Sequence, residues 1–230
     1  MRTRRCHFSA GVVLALLVSS ATELDAQAAR AVVAGRLSVT DRGNRSAEDV
    51  GQAVIWLESA QPVKVTPTRA ETSTENKQFL PHVLVVPAGS TVAFPNHDAF
   101  NHNVFSLSPE GRFDLGFYGR GEAKSTTFNR AGIVRVYCNV HAQMSAFVVV
   151  RDNPWFAQPG GDGSFTIRDV PPGAYVLHVW HERGGETTKN IQVPAAGLSS
   201  VVLQLDARGY RFTQHLNKFG QPYTQSGRRY

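Results

Sequence analysis

Beyond its first thirty residues the chain carries no long apolar stripe at helical spacing. Short runs of β-branched and aromatic residues recur instead, each cut off by Gly, Pro, Asn or Asp. Runs of that length and punctuation suit strands rather than helices. The candidate strands are residues 32–39, 53–57, 83–86, 91–94, 133–137, 147–150, 164–167, 175–180 and 201–205. Pro87-Ala88-Gly89 and Pro171-Pro172-Gly173 read as turns between neighbouring strands. The segment 175–180 has bulky residues on both faces, as a strand inside a sandwich does. A helical turn or two is expected only around Glu122 to Phe128. Many short strands with turn signals predict an all-β fold of sandwich or barrel type. With 42% hydrophobic and 18% charged residues, a disordered polar chain is excluded.

Residues 1–28 read as a secretory signal peptide. Arg2, Arg4 and Arg5 form a basic start, residues 10–18 an apolar run, and Ala26-Gln27-Ala28 a cleavage pattern. The run is too short to span a bilayer and no second one follows, so the mature chain is expected to lack a transmembrane segment and to be periplasmic or secreted. Cys6 lies in the signal, which leaves Cys138 as the mature chain's one cysteine. A disulfide framework is excluded, and an unpaired cysteine in an exported protein calls for another role.

The formal charge of +6 raises the question of nucleic acid or anionic membrane. Its distribution answers it. The tail 207–230 holds Arg208, Arg211, Lys218, Arg228 and Arg229 and no acid, whereas residues 29–206 balance 16 basic against 16 acidic side chains. No nucleic-acid partner is expected. The basic tail reads as a solubilising segment, or as a strip for an acidic redox partner or weak membrane-surface contact.

One constellation carries chemistry. Cys138-Asn139-Val140-His141-Ala142-Gln143-Met144 offers a thiolate, an imidazole and a thioether within seven residues of a loop between two strands. Upstream, Asn101-His102-Asn103-Val104-Phe105 sets a second imidazole at a strand start. His97 is the rival, but no Asn-Val-Phe strand start follows it. A trigonal His2Cys plane with a weak axial Met is the blue-copper electron-transfer arrangement. Structural zinc sites instead favour paired Cys and His and have no use for Met. His82 and His215 have no donors near them in sequence and read as surface residues.

The segment YCNVHAQM resembles the ligand loop of the cupredoxins, the small blue copper proteins, with the short spacing of the amicyanin type. FPNHDAFNHNVF and VVPAGSTVAFPN resemble the strands around the first His ligand in the plastocyanin type. The resemblance spans about residues 61–151 and implies a Greek-key β-sandwich holding one copper that cycles between Cu(I) and Cu(II). It implies the ligands His102, Cys138, His141 and Met144. It further implies that Asn103 ties the two ligand loops together, its N–H facing the Cys sulfur, and that Tyr137 is the aromatic preceding the Cys ligand. The implied partner is a redox protein such as a cytochrome or dehydrogenase. Ala142 and Gln143 replace the Pro and Phe of amicyanins, so the amicyanins' amine dehydrogenase partner does not carry over.

Residues 162–206 resemble carboxypeptidase-regulatory-like domains, which are small transthyretin-like β-sandwiches. Such domains open with strands that 162–206 lacks and that 31–60 supplies. The expected organisation is therefore a sandwich split into 31–60 and 152–206, a copper domain at 61–151 inserted within it, and a tail at 207–230. Trp180-His181 reads as a sandwich-edge Trp with a solvated His, and Asn44-Arg45-Ser46 matches a glycosylation sequon. No acid–base pair or hydrolase motif is evident, so no enzyme activity is expected. The competing functions are copper carriage or buffering with the same ligands, and a binding module whose metal is incidental.

Overall fold

The computed structural model describes residues 30–223. The expected signal peptide, residues 1–28, and the last seven residues of the tail lie outside the described residues. In chain order the strands are Ala31–Asp41 (β1), Arg45–Ser46 (β2), Val54–Glu58 (β3), Arg69–Glu71 (β4), Ser73–Glu75 (β5), Gln78–Leu80 (β6), Val83–Pro87 (β7), Ser90–Pro95 (β8), His102–Ser106 (β9), Phe113–Tyr118 (β10), Ala123–Phe128 (β11), Gly132–Cys138 (β12), Ser145–Arg151 (β13), Phe156–Ala157 (β14), Ser164–Val170 (β15), Gly173–His181 (β16), Gly185–Val193 (β17) and Leu198–Asp206 (β18). The only helical turns among the described residues are two 3-10 turns, Arg42–Asn44 and Val50–Gln52.

Two sheets, β15-β1-β18 and β14-β3-β16-β17, enclose one apolar core. Leu37 and Val39 from β1 meet Ile55 and Leu57 from β3, Ile167 from β15, Leu177 from β16 and Leu203 from β18 there. A second core gathers Val92 and Phe94 from β8, Val104 from β9, Phe128 from β11, Val136 from β12 and Val148 from β13. These lie between the sheets β10-β9-β12-β13-β7 and β11-β8-β4. Burying each such aliphatic side chain stabilises the fold by about 1.5–3 kcal/mol. A third cluster sets Val54, Trp56 and Trp180 against Val83, Phe147 and Val149, joining the two sandwiches through β3, β16, β7 and β13. This explains why β3 and β13 show no alternation: both their faces are buried.

Strands far apart in sequence share these sheets. β1 pairs antiparallel with β15, Arg36 opposite Ser164, and parallel with β18, Leu37 opposite Leu203. β3 pairs antiparallel with β16, Val54 opposite Trp180.

Two local expectations are corrected. Residues 123–128 form β11, paired antiparallel with β8, rather than a helical turn. Ser125, Thr126 and Thr127 are comfortable in a pleated strand, and cross-strand pairing outweighs the helical preference of Ala123 and Lys124. Trp180-His181 does not sit at a sandwich edge, because β16 lies between β3 and β17 and His181 is fully buried. Its Nε2–H donates to the Asp49 carbonyl (3.2 Å), while Nδ1 accepts from the Arg183 N–H (3.3 Å). A ring that accepts at Nδ1 and donates at Nε2 is neutral. Burial accordingly holds its pKa below 6.5, against the pull of the Asp49 carboxylate. The unfolded chain therefore takes up a proton on His181 as pH falls below 6.5 while the folded chain does not, and stability drops with falling pH. The expected result is that the tryptophan-fluorescence melting temperature falls from pH 7 to pH 5 less steeply in His181→Asn than in the parent. Equal slopes would reject the buried neutral imidazole.

Candidate metal centre

The centre forms where β9 begins and β12 ends. These strands are neighbours, with Tyr137 opposite Phe105 and Cys138 opposite Val104, so His102 and Cys138 arrive at the same end of one sheet. Beyond Cys138 the chain turns back within six residues to β13. Three backbone hydrogen bonds close that loop: Asn139 N–H to Asn103 O (2.8 Å), Met144 N–H to His141 O (2.9 Å) and Cys138 N–H to Met144 O (3.3 Å).

The ligating atoms of His102, Cys138 and His141 all lie within 4.8 Å of one another. Nδ1 of His102 is 3.4 Å from the Cys138 sulfur and Nδ1 of His141 is 3.8 Å from it. The Cys138 sulfur also accepts from the Val140 N–H at 3.4 Å. His102 and Cys138 are fully buried, and His141 is half-buried with its ring against the exposed Phe100. Met144 is buried at the far end of the loop, in the same apolar cluster as Cys138. His97 is exposed and stands outside the group.

His102 is held from behind by a residue that sequence reasoning missed. Its Nε2–H donates to a carboxylate oxygen of buried Asp98 at 2.8 Å. Asp98 in turn accepts from the backbone N–H groups of Asn76 (2.7 Å) and Lys77 (3.1 Å), at the turn between β5 and β6. With Nε2 occupied, Nδ1 is the nitrogen left to face the sulfur, as in carboxylate–histidine–metal arrangements generally. The available signal was an acid four residues ahead of the ligand candidate. Burial works to raise the Asp98 pKa, but the Lys77 N–H, His102 and the Asn76 N–H outweigh it and keep the carboxyl below its usual range.

The other titratable groups fit a site prepared for a cation. Burial lowers His102, and burial together with neighbouring His102 lowers His141 to about 4, so both imidazoles keep a lone pair free at neutral pH. Burial also pushes the Cys138 thiol up, an effect partly offset by the backbone N–H groups of Asn103 and Val140 that face its sulfur. A soft sulfur donor and two imidazoles match copper's preferences in both oxidation states.

Asn103 and Tyr137 line the back of the centre. The Asn103 side-chain amide donates to Asp114 (2.6 Å), while its backbone carbonyl accepts from the Asn139 N–H. Tyr137 is half-buried, its ring stacked on His215 at 4.1 Å between centroids and 15° between planes. His215 is thus no surface residue but a half-buried part of this wall, and the tail that carries it folds onto the loop. His82 is half-buried as well, bonded to Glu182 at 2.6 Å.

No family model and no curated protein matches this chain. Solved structures do. A purple cupredoxin from Nitrosopumilus maritimus is 24% identical over 36% of this chain and 99% of its own, with a TM-score of 0.33. Amicyanin from Paracoccus versutus is 26% identical over 42% of this chain and 97% of its own, with a TM-score of 0.34. A copper-containing nitrite reductase from Thermus scotoductus is 28% identical over 41% of this chain but only 26% of its own, with a TM-score of 0.36. At scores this low the likeness lends the site no weight, and the site is read from its own residues.

Proposed function

We propose that this chain is an exported mononuclear type 1 copper protein that carries single electrons between redox partners and catalyses no reaction of its own. The observation that carries the reading is the approach of two imidazole nitrogens and one buried thiol within 4.8 Å, on a loop that also buries Met144. Copper would supply the one-electron couple, held by His102, Cys138 and His141 with Met144 as the weak fourth donor. The protein's part is to keep the donors still. Cys138 is fixed by β12 and by the N–H groups facing its sulfur, His102 by Asp98, and His141 by the closed loop. Little then moves when the charge at the site changes.

His141 is the port through which we expect electrons to pass. Its ring is half-buried, and Phe100 and Val140, both about two-fifths exposed, flank it. An apolar rim of this kind suits brief contact with another redox protein such as a cytochrome or dehydrogenase.

The surrounding architecture supports a split second module. Residues 31–60 and 152–206 make up one transthyretin-like sandwich in this reading, and 61–151 is the copper domain inserted between its halves. The pairing of β1 with β15 and of β3 with β16 supports it.

The test is to add Cu(II) to the purified protein. The expected product has intense blue absorption and a narrow copper hyperfine splitting. A colourless protein with a water-bound copper spectrum would reject the type 1 assignment.

A further inference from the structure

The C-terminal segment does more than solubilise the chain. Tyr223 Oη–H donates to the carbonyl of Cys138 at 2.7 Å, across 85 positions of sequence. The Lys218 N–H donates to Asn139 Oδ1 (3.0 Å), and Lys218 Nζ reaches Asp114 Oδ2 (2.7 Å). Asp114 accepts from the Asn103 side chain through its other oxygen, and Asn103 O accepts from the Asn139 N–H. Lys218, Asp114, Asn103 and Asn139 thus close a ring of hydrogen bonds linking the tail, β10, β9 and the ligand loop. Just ahead of these two anchors the tail lays His215 flat on Tyr137 and edge-on to Tyr223.

We infer that residues 210–223 are a strap that locks the Cys138–Met144 loop onto β9. This inference rests on the copper reading above and concerns how tightly the loop is held. Without the strap, the loop keeps the Asn139–Asn103 backbone bond, the pairing of Cys138 with Val104 and the Asn103 N–H at the Cys138 sulfur as ties to β9, while the Cys138 carbonyl and the Asn139 amide oxygen lose their bonds to the tail. Release of a metal needs the loop to open, and each anchor removed makes that opening easier. Lys218 and Tyr223 touch no ligating atom, so they act as positioning residues through the backbone and side chain of the loop.

The experiment uses the full chain loaded with copper and follows loss of the metal to an excess of chelator. Tyr223→Phe removes the hydroxyl that binds the Cys138 carbonyl, and Lys218→Ala removes the Nζ–Asp114 bond and so opens the hydrogen-bonded ring, while its backbone N–H to Asn139 stays. The double variant is expected to keep its blue absorption and to release copper at least about tenfold faster, the lower end of the effects that groups behind metal ligands produce. Arg208→Ala serves as the control, because Arg208 lies in the same tail but pairs with Asp206 and Asn44. Its release rate is expected to match the parent's. Unchanged release in the double variant overturns the strap while leaving the copper reading in place. Equal acceleration in Arg208→Ala overturns it too, because that would mark general loosening. A parent chain that takes no blue colour removes both readings.

Discussion

Alanine at Gly35 is expected to cost about 3 kcal/mol, the upper end of what overpacking does, because the collision is with backbone rather than with a yielding side chain. Gly35 sits in the middle of β1, between β15 on one side and the parallel strand β18 on the other. A Cβ there would overlap the carbonyl of Val201, directly across the parallel pair. Relief requires β1 and β18 to part, which would expose the core they cover. Urea unfolding measures this well, because the chain's three tryptophans, Trp56, Trp155 and Trp180, all lie in the sandwich that contains β1 or against its sheets. Their fluorescence midpoint is expected to fall sharply. Gly161→Ala, where an added Cβ meets nothing within 4 Å, is expected to stay within about 0.5 kcal/mol of the parent. Equal midpoints for the two variants would show that the β1–β18 approach is not as close as described.

Asp98→Asn is expected to move the midpoint potential of the copper-loaded protein upward by about 59 to 118 mV. This is a ten- to hundredfold change in the preference between the two copper states. Asn keeps an oxygen that can accept from His102 Nε2, so the ring stays in place, but the negative charge is gone. That charge, 2.8 Å from the imidazole and shielded from water, favours the more positive state of the site. Redox titration of the blue band reads the shift. A potential that stays put, with the blue spectrum intact, would mean that Asp98 only holds the ring and does not tune it. A loss of blue colour in Asp98→Asn would instead place its role in assembling the site.

The meeting of His102, Cys138 and His141 was legible in the sequence because Cys138 and His141 lie within four residues of one loop. His102 starts a strand whose pattern is equally local. The groups that support those donors were legible only in part. Asp98 is near in sequence, but a loop of Asn, His, Asp and Ala gives no periodicity to say which side chain turns inward. His215, Lys218 and Tyr223 were hidden for a different reason. Their partners are Tyr137, Asn139 and Cys138, about eighty residues earlier, and nothing in a basic, aromatic tail announces where it will lie. The same holds for His181, whose burial depends on Asp49 more than a hundred positions away. The strand pattern itself survived well, and it failed at residues 123–128 because a Ser/Thr-rich strand on a small sheet has little hydrophobic alternation to betray it.

The pairing of β1 with strands more than a hundred positions later, as between Arg36 and Ser164, has a consequence for how the protein is made. A chain emerging from its N-terminus presents β1 and β3 long before β15, β16 and β18 exist. Until then their edges are open to any other extended chain nearby. The sandwich around the metal loop is built from residues that are contiguous in sequence, and it can close first. Its closure brings the end of β13 back beside the segment that follows β3, shortening the effective loop that the outer strands must span. Closure of the inner sandwich thus leaves the outer strands a shorter stretch of chain to span before they pair.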